Sequence, residues 1–159
     1  AAGISALAEA FEGRGLDLLI HSAGVLRGVS RDVMMEINAD APLNVVDALL
    51  PAVLRGGWRK IAILTSQMGA RHGGGTPSAD YGASKCALND RFREIEPDWR
   101  DQGIASVVFH PGWVATDMGG SSASVSVDES VGGMRRVIAG LAPADSGKFF
   151  TWKGTEHSW

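Results

Sequence analysis

A tyrosine and a lysine four residues apart form the most reactive combination in the sequence. Tyr81 is the only tyrosine in the 159-residue chain, and Lys85 is one of four lysines. Residues 79–99 carry apolar side chains at helical spacing, and residues four apart lie on one face of a helix. An ammonium group beside a phenol favours the phenolate, so the spacing predicts a tyrosine with a lowered pKa that exchanges a proton with a substrate oxygen. The alternative interpretation is an exposed Tyr–Lys pair on a surface helix.

Ser66 offers a hydroxyl group for the same chemistry. It follows the apolar run 61–64, which indicates a buried strand, and the chain then passes through a glycine-rich segment to the start of the Tyr81 helix. A hydroxyl group and an activated phenol that meet at a strand end can both hydrogen-bond one carbonyl oxygen. The arrangement is suited to the reduction of a C=O group.

Alternating strand-like and helical segments must position these residues. The predicted strands are 16–20, 61–64, 105–109 and 148–152, and the predicted helices are 4–11, 32–54, 79–99 and 128–141. Proline side chains at 42, 51 and 97 are expected to bend or end their helices. We find no internal repeat and no linker that would divide the chain.

This alternation predicts the α/β class, with a doubly wound parallel sheet whose two faces are covered by helices. The first three predicted strands are continuously apolar, as expected when both faces of a sheet are buried. In such sheets, ligands bind beyond the carboxyl ends of the strands. Residues 21–24, 65–69 and 110–116 should therefore converge on one crevice.

Four motifs, in order along the chain, resemble those of the short-chain dehydrogenases/reductases. The segment YGASK at 81–85 resembles the YxASK signature of that family, and Ser66 in ILTSQMG matches its catalytic serine. Asn38 in EINADAP matches the asparagine of the catalytic helix, and PGWVAT at 111–116 resembles the PGxVxT loop. The resemblance covers nearly the whole chain and implies a Rossmann-like fold. The TDMGG extension and the chain end resemble the C-factor subgroup most.

The resemblance implies a role for each matching residue. Tyr81 would be the general acid/base, and Lys85 would lower its pKa and hold the nicotinamide ribose. Ser66 would orient the substrate oxygen, and Asn38 would support a proton-relay water. NAD or NADP would supply the hydride. The residues implied to bind this cofactor are Ser22, Ala23, Gly24, Tyr81, Lys85, Pro111, Gly112, Val114 and Thr116.

Two departures from the family pattern stand out. The Asn-Asn-Ala-Gly turn of the family is His21-Ser22-Ala23-Gly24 here, and we interpret His21 as a structural residue at the strand end. The TGxxxGxG turn that cradles the pyrophosphate is missing, and the glycines of 72–75 stand at the wrong place in the order to replace it. The expectation is an N-terminally truncated fold, with residues 1–159 as a single partial domain that holds the catalytic half.

Composition and charge lead to expectations about the partners, the metal content and the compartment of the protein. Fifteen basic and eighteen acidic residues give a net charge of −3 without a basic stripe, which argues against nucleic acid as a partner. No apolar run reaches the length of a membrane-spanning helix, so we expect no membrane. Cys86 is the only cysteine, and no Cys/His spacing indicates a metal site; we expect a cytoplasmic protein. Without the missing strands, the apolar strand 16–20 would have an unpaired edge, which leads us to predict a homodimer or homotetramer. It would form through that edge, or through the helices at Asp32 and Ala79 that the resemblance implies as the dimer interface.

Two functional hypotheses remain open from the sequence. The first is an NAD(P)-dependent carbonyl reductase or alcohol dehydrogenase acting on a small-molecule carbonyl or alcohol. The second is a C-factor-like signalling or binding protein without turnover, because the dinucleotide phosphate motif is absent. A hydrolase triad of Ser66, His110 and Asp117 is disfavoured because the chain has no GxSxG elbow. The residues identify neither the substrate nor the preference between NAD and NADP.

Overall fold

The computed structural model describes residues 2–71 and 79–159, which form a four-stranded parallel sheet with helices on both faces. The strands are β1 (Leu18–His21), β2 (Lys60–Leu64), β3 (Ala105–His110) and β4 (Phe149–Thr151), in the spatial order β1-β2-β3-β4. The α-helices are α1 (Ala2–Ala10), α2 (Arg31–Met35), α3 (Ala41–Arg55), α4 (Ala79–Asp101) and α5 (Val127–Gly140). The predicted α/β class and parallel sheet are confirmed. The glycine-rich segment 72–75 lies outside the described residues.

Two hydrophobic clusters cover the two faces of the sheet. On one face, α3 and α4 pack against the strands, and the buried residues include Val46, Val53, Ile61, Ile63, Leu88, Phe92, Trp99, Val108 and Phe149. On the other face, α5 covers the strands, and the buried residues are Ala62, Val107, Phe109, Met134, Ile138, Leu141 and Phe150. Because neighbouring side chains of a strand point to opposite faces, β2 and β3 contribute to both clusters. The doubly wound arrangement follows from this division.

β1 differs from the prediction that it is buried on both faces. Ile20 is 47% exposed, and Leu18 and Leu19 are half-buried. The reason is that β1 is an edge strand: among the described strands it pairs only with β2. Within the described residues, the outer edge of β1 is therefore apolar and unpaired, as the sequence indicated for this segment.

The prolines interrupt the helices less than expected. Pro51 lies inside α3 and Pro97 lies inside α4, and both helices continue for about another turn. A helical proline removes the hydrogen bond to the carbonyl four residues earlier. Here those carbonyls belong to Asp47 and Arg93, which are both exposed residues, so the cost of the missing bond is small. Before Pro42, a π-helical turn, Glu36–Asp40, joins α2 to α3.

The continuous helical stretch Arg31–Arg55 is long and apolar enough to cross a bilayer by length and composition. The sequence alone did not indicate a run of that kind. Core helices of soluble proteins pass the same test, and the apolar face of α3 packs on the sheet through the buried side chains of Val46, Leu49 and Val53. The stretch is thus weak evidence for a membrane span.

Two adjacent glycines in α5 provide a matched test of the packing between α5 and the chain after β4. A Cβ atom at Gly133 would lie 2.2 Å from the carbonyl oxygen of Trp152, whereas at Gly132 the nearest atom would be Nη1 of Arg136 at 3.6 Å. We expect Gly133→Ala to lower the free energy of unfolding by about 1–3 kcal/mol through steric strain. Gly132→Ala should raise it by about 0.5–1 kcal/mol through helix propensity. Urea denaturation of both variants checks this, and equal effects would contradict it.

Candidate active site

The carboxyl ends of the strands enclose a cavity of about 390 Å³. Of the eleven residues predicted to form the site, nine line this cavity: Ser22, Gly24, Ser66, Tyr81, Lys85, Pro111, Gly112, Val114 and Thr116. Ala23 and Asn38 do not line it. The location agrees with the rule that ligands of parallel sheets bind beyond the carboxyl ends of the strands.

Tyr81 and Ser66 are in direct contact at this cavity. Tyr81 is 9% exposed and lies in the first turn of α4, and its hydroxyl group is hydrogen-bonded to the side chain of Ser66. Ser66 follows β2 and caps the short 3₁₀ turn Gln67–Gly69, where its Oγ accepts a hydrogen bond of 3.1 Å from the backbone N–H of Met68. The strand end and the start of the helix thus bring together the two hydroxyl groups that the sequence predicted.

The pKa of Tyr81 moves in the direction opposite to the prediction. Burial raises the pKa of its phenol above the ordinary value, and the hydrogen bond with Ser66 opposes this rise. Lys85, which the sequence indicated as the group that lowers this pKa, instead donates a hydrogen bond of 3.2 Å from Nζ to the carbonyl oxygen of Leu64. Tyr81 is therefore a neutral phenol near pH 7, the form that can donate a proton to a substrate oxygen.

Lys85 is a buried ammonium group with few partners. Its side chain is 4% exposed, and burial lowers its pKa to about 8. Nζ of Lys85 carries three N–H donors, and its one hydrogen-bond acceptor among the described residues is the carbonyl of Leu64. A Cβ atom at Gly24 would lie 3.5 Å from Nζ of Lys85 and 3.1 Å from Oδ1 of Asn38. A glycine at this position therefore leaves space beside the lysine.

Asn38 holds the turn after β1 against α4, the helix that carries Tyr81 and Lys85. It lies in the π-helical turn, fully buried, and its Oδ1 accepts a hydrogen bond of 2.8 Å from the N–H of Val25. Its Nδ2 donates to the carbonyl of Val25 at 2.7 Å and to Oγ of Ser84 at 3.0 Å, and Ser84 in turn donates to the carbonyl of Tyr81. Both amide hydrogens are thus used in positioning. The role of Asn38 beside a relay water stays a prediction.

The loop after β3 forms the opposite wall of the cavity. Gly112 has a φ of +90°, and a Cβ atom there would lie 2.9 Å from the indole of Trp152. Oγ of Ser130 in α5 donates a hydrogen bond of 2.6 Å to the carbonyl of Pro111 and fixes the turn. Trp113 is 54% exposed at the cavity mouth, and its indole N–H donates to the carbonyl of Gly119 at 2.8 Å. These contacts set the shape of the loop that the sequence identified.

Three further polar residues lie near the site, and the sequence pointed to two of them, His21 and His110, but not to Asn89. Asn89 accepts a hydrogen bond of 2.6 Å from the hydroxyl group of Thr65, and it lies one helical turn after Lys85 on the same face, a spacing that could have revealed it. His110 lines the cavity, and its burial lowers its pKa to about 4, with a smaller effect of His157 in the same direction. His21 is also buried, which lowers its pKa; the charge of Lys85 lowers this pKa further, and a hydrogen bond to its own backbone opposes both effects.

The hydrolase alternative is not supported by the geometry. Nδ1 of His110 is buried and has no hydrogen-bond partner in the described part of the chain, and Asp117 is exposed. Ser66 bonds to Met68 and Tyr81 instead. Within residues 2–71 and 79–159, no three His, Cys, Asp or Glu side chains come together as ligands for a metal ion.

Comparison with known proteins identifies the family. The sequence model described as short chain dehydrogenase matches residues 2–125, more than half of the chain. The chain belongs to the short-chain dehydrogenase family. C-signal of Myxococcus xanthus is 44% identical over 156 aligned residues, which cover 91% of this chain and 93% of C-signal. The predicted family and its C-factor-like character are confirmed.

Two longer proteins are similar to this short-chain dehydrogenase, one in its solved structure and one in its sequence. The NADPH-bound carbonyl reductase from chicken fatty liver superimposes with a TM-score of 0.86 and 33% sequence identity, covering 99% of this chain and 71% of that chain. An uncharacterised oxidoreductase of Schizosaccharomyces pombe is 28% identical over 159 aligned residues, which cover 86% of this chain and 62% of that protein. The chain thus spans less than two thirds of the length of the yeast relative.

Proposed function

We propose that this short-chain dehydrogenase reduces a carbonyl compound, or oxidises the corresponding alcohol, with a nicotinamide dinucleotide. The observation that carries the proposal is the hydrogen bond between the buried hydroxyl groups of Tyr81 and Ser66 at the cavity. Two hydroxyl donors at one point can bind the same carbonyl oxygen, where negative charge develops during reduction. The resemblance to a carbonyl reductase that binds NADPH gives independent support.

The described residues fit the nicotinamide and ribose end of such a cofactor. Nζ of Lys85 is buried with one protein acceptor, which leaves donors for ribose hydroxyl groups. Gly24 leaves space beside Lys85, and Pro111 and Gly112 present backbone to the same cavity. NAD or NADP supplies a hydride to the substrate carbon when it is bound. The side chains and backbone of Ser22, Ala23, Gly24, Lys85, Pro111, Gly112, Val114 and Thr116 would hold this end.

The chain's own residues would handle the proton. The hydroxyl group of Tyr81 donates it to the carbonyl oxygen, and Ser66 holds that oxygen by a second hydrogen bond. In alcohol oxidation the same phenol oxygen takes the proton back. Asn38 maintains this geometry through Val25 and Ser84.

A direct assay tests the proposal. The chain is incubated with NADPH or NADH and a panel of aldehydes and ketones, and the loss of reduced-cofactor absorbance is followed. We expect turnover with at least one substrate of the panel, and the ratio of the two rates gives the cofactor preference. The proposal fails if no member of the panel is turned over while the protein is folded and binds the reduced cofactor.

A second candidate function follows from the relation to C-signal. That relative is matched over almost its full length at 44% identity, and its name describes a signal. We propose as the alternative that this chain acts as a binding or signalling protein without turnover. A fluorescence titration with NADPH separates the two functions. Saturable binding favours the oxidoreductase, and a folded chain that binds neither NADPH nor NADH favours the alternative.

The partners and the compartment stay predictions. A small-molecule carbonyl or alcohol, a homodimer or homotetramer, and a cytoplasmic location are the expectations, with neither nucleic acid nor membrane as a partner. The exposed edge of β1 supports self-association, since an unpaired strand can accept another strand. The alternative surface is the outer face of α3 and α4, where Asp47, Arg91 and Asp98 are exposed.

A further inference from the structure

Apolar side chains that are open to solvent gather at the cavity where the hydroxyl groups of Tyr81 and Ser66 meet. Nine large apolar side chains are exposed in the described part of the chain, and four of them line this one cavity. A single exposed apolar residue is common on a protein surface, whereas a group of them around a concave site marks a place that binds an apolar ligand. The four residues, each between 40% and 54% exposed, are Trp113, Met118, Val127 and Val131.

Methionine is concentrated at the same cavity. Three of the five methionines in the chain line it, and they come from three separate elements. Met68 lies in the 3₁₀ turn after β2, Met118 in the loop after β3, and Met134 in α5. The unbranched, polarisable side chain of methionine adapts to ligands of irregular shape and makes favourable contacts with aromatic rings. We refer to the following lining residues as the apolar wall: Met68, Trp113, Met118, Val127, Val131 and Met134.

The lining of the cavity offers little charge to a substrate. Among the described lining residues, Lys85 is the one side chain that is charged at pH 7. Burial lowers the pKa of His110 to about 4 and raises that of Tyr81, so both side chains are neutral. Nζ of Lys85 donates a hydrogen bond to the carbonyl of Leu64, and the proposed function assigns its remaining donors to the ribose.

Arg27 and Asp117 are charged residues at the rim of the cavity, next to the lining residues Leu26 and Met118. Both are exposed, and neither lines the cavity. Nη2 of Arg27 lies 3.5 Å from the carbonyl oxygen of Asp117, whose carboxylate carries the opposite charge. A carboxylate or phosphate group against the apolar wall would therefore lose its water without gaining a partner, which disfavours its binding.

We propose that the substrate is a small neutral carbonyl compound, or the corresponding alcohol, whose apolar body lies against the apolar wall, and that the cavity discriminates against carboxylates and phosphates. The inference deepens the proposed function and rests on it, since the oxygen of this substrate is the one that Tyr81 and Ser66 bind. The cavity of about 390 Å³ is at the lower end of the range of about 300–1,000 Å³ for small-molecule sites. Part of this volume is needed for the nicotinamide, so the substrate is small.

The first measurement is a ligand titration of the protein without cofactor, followed by NMR of isotope-labelled methionine methyl groups. The ligands are para-isopropylbenzyl alcohol and para-carboxybenzyl alcohol, which have similar sizes and differ in charge. The neutral alcohol should shift the methyl signals of Met68, Met118 and Met134 and bind at least about tenfold more tightly than the carboxylate. Met34 and Met35 do not line the cavity and are the internal controls. Equal affinities, or no shift of the three cavity methionines, would overturn the proposal.

The second measurement places a positive charge on the apolar wall. Val131 is 43% exposed in α5, so a lysine there can be accommodated without filling the core. Val131→Lys should raise the affinity for the carboxylate about two- to fivefold and lower the affinity for the neutral alcohol. Val33→Lys is the matched control, because Val33 is 40% exposed in α2 and does not line the cavity. If the two variants have the same effect, Val131 does not contact the ligand and the proposal fails.

The same pair of ligands separates this inference from the proposed function. Neither titration needs cofactor or turnover. If the neutral alcohol binds at the three cavity methionines while no carbonyl compound is reduced with NADPH or NADH, the preference of the cavity stands and the proposed function fails. If carbonyl compounds are reduced but their carboxylated analogues react with equal kcat/KM, the reverse holds.

Discussion

Replacing Tyr81 by phenylalanine is expected to lower the turnover of the reductase by about 10²–10⁴-fold, the usual contribution of a positioned general acid. The phenol is the group that donates the proton, its hydroxyl is hydrogen-bonded to Ser66, and the tyrosine side chain is buried. Phenylalanine keeps the ring and its packing. The measurement is kcat for the best substrate of the carbonyl panel with saturating NADPH.

Cofactor binding serves as the internal control for this variant. Lys85 and the loop at Pro111 and Gly112 are unchanged, so the NADPH titration of the variant should match that of the parent protein. Ser66→Ala should give a smaller loss than Tyr81→Phe, because it removes one of two donors and leaves the proton source. If Tyr81→Phe retains more than about half of the turnover, the phenol is not the general acid.

Gly69→Ala is expected to damage both stability and activity. A Cβ atom at Gly69 would lie 2.6 Å from the backbone carbon and 2.7 Å from the carbonyl oxygen of Lys85. Neither atom can move without shifting α4, so we expect the free energy of unfolding to fall by about 1–3 kcal/mol. The same shift would separate Ser66, which begins the turn containing Gly69, from Tyr81. Urea denaturation and kcat are the two measurements.

Gly57→Ala is the matched control for this substitution. Gly57 is also in a segment next to a strand of the sheet, but a Cβ atom there would meet only Oδ1 of Asp17, at an ordinary 3.4 Å. We expect stability and activity close to those of the parent protein. If Gly69→Ala behaved like Gly57→Ala, the close approach of the turn to α4 would not be what holds the two hydroxyl groups together.

The parts of the fold that depend on local pattern could be predicted from the sequence. The apolar runs and the helical periodicity fixed the order of the strands and helices, because burial of each segment imposes its own period. The same reasoning placed Tyr81 and Lys85 on one helical face and Ser66 at a strand end. The parallel geometry of β1, β2 and β3 then brought these positions to one edge of the sheet.

Features that depend on distant neighbours could not be predicted. The exposure of Ile20 depends on which strand lies beside β1, and no local pattern contains that information. The direction of the Tyr81 pKa depends on how deeply the phenol is buried and on the contact with Leu64 that Lys85 makes.

The π-helical turn Glu36–Asp40 makes this site sensitive to chain length as well as to the identity of Asn38. Each residue of an α-helix turns the chain by about 100°, so a wider turn changes the rotational position of everything before it relative to everything after it. The turn lets Asn38 reach Val25 and Ser84 while α3 keeps its apolar face on the sheet. Deleting one residue of the turn would preserve a regular helix and every other side chain, yet it would rotate α2 away from its packing on α4. Insertions and deletions within Glu36–Asp40 should therefore be tolerated less well than most substitutions there.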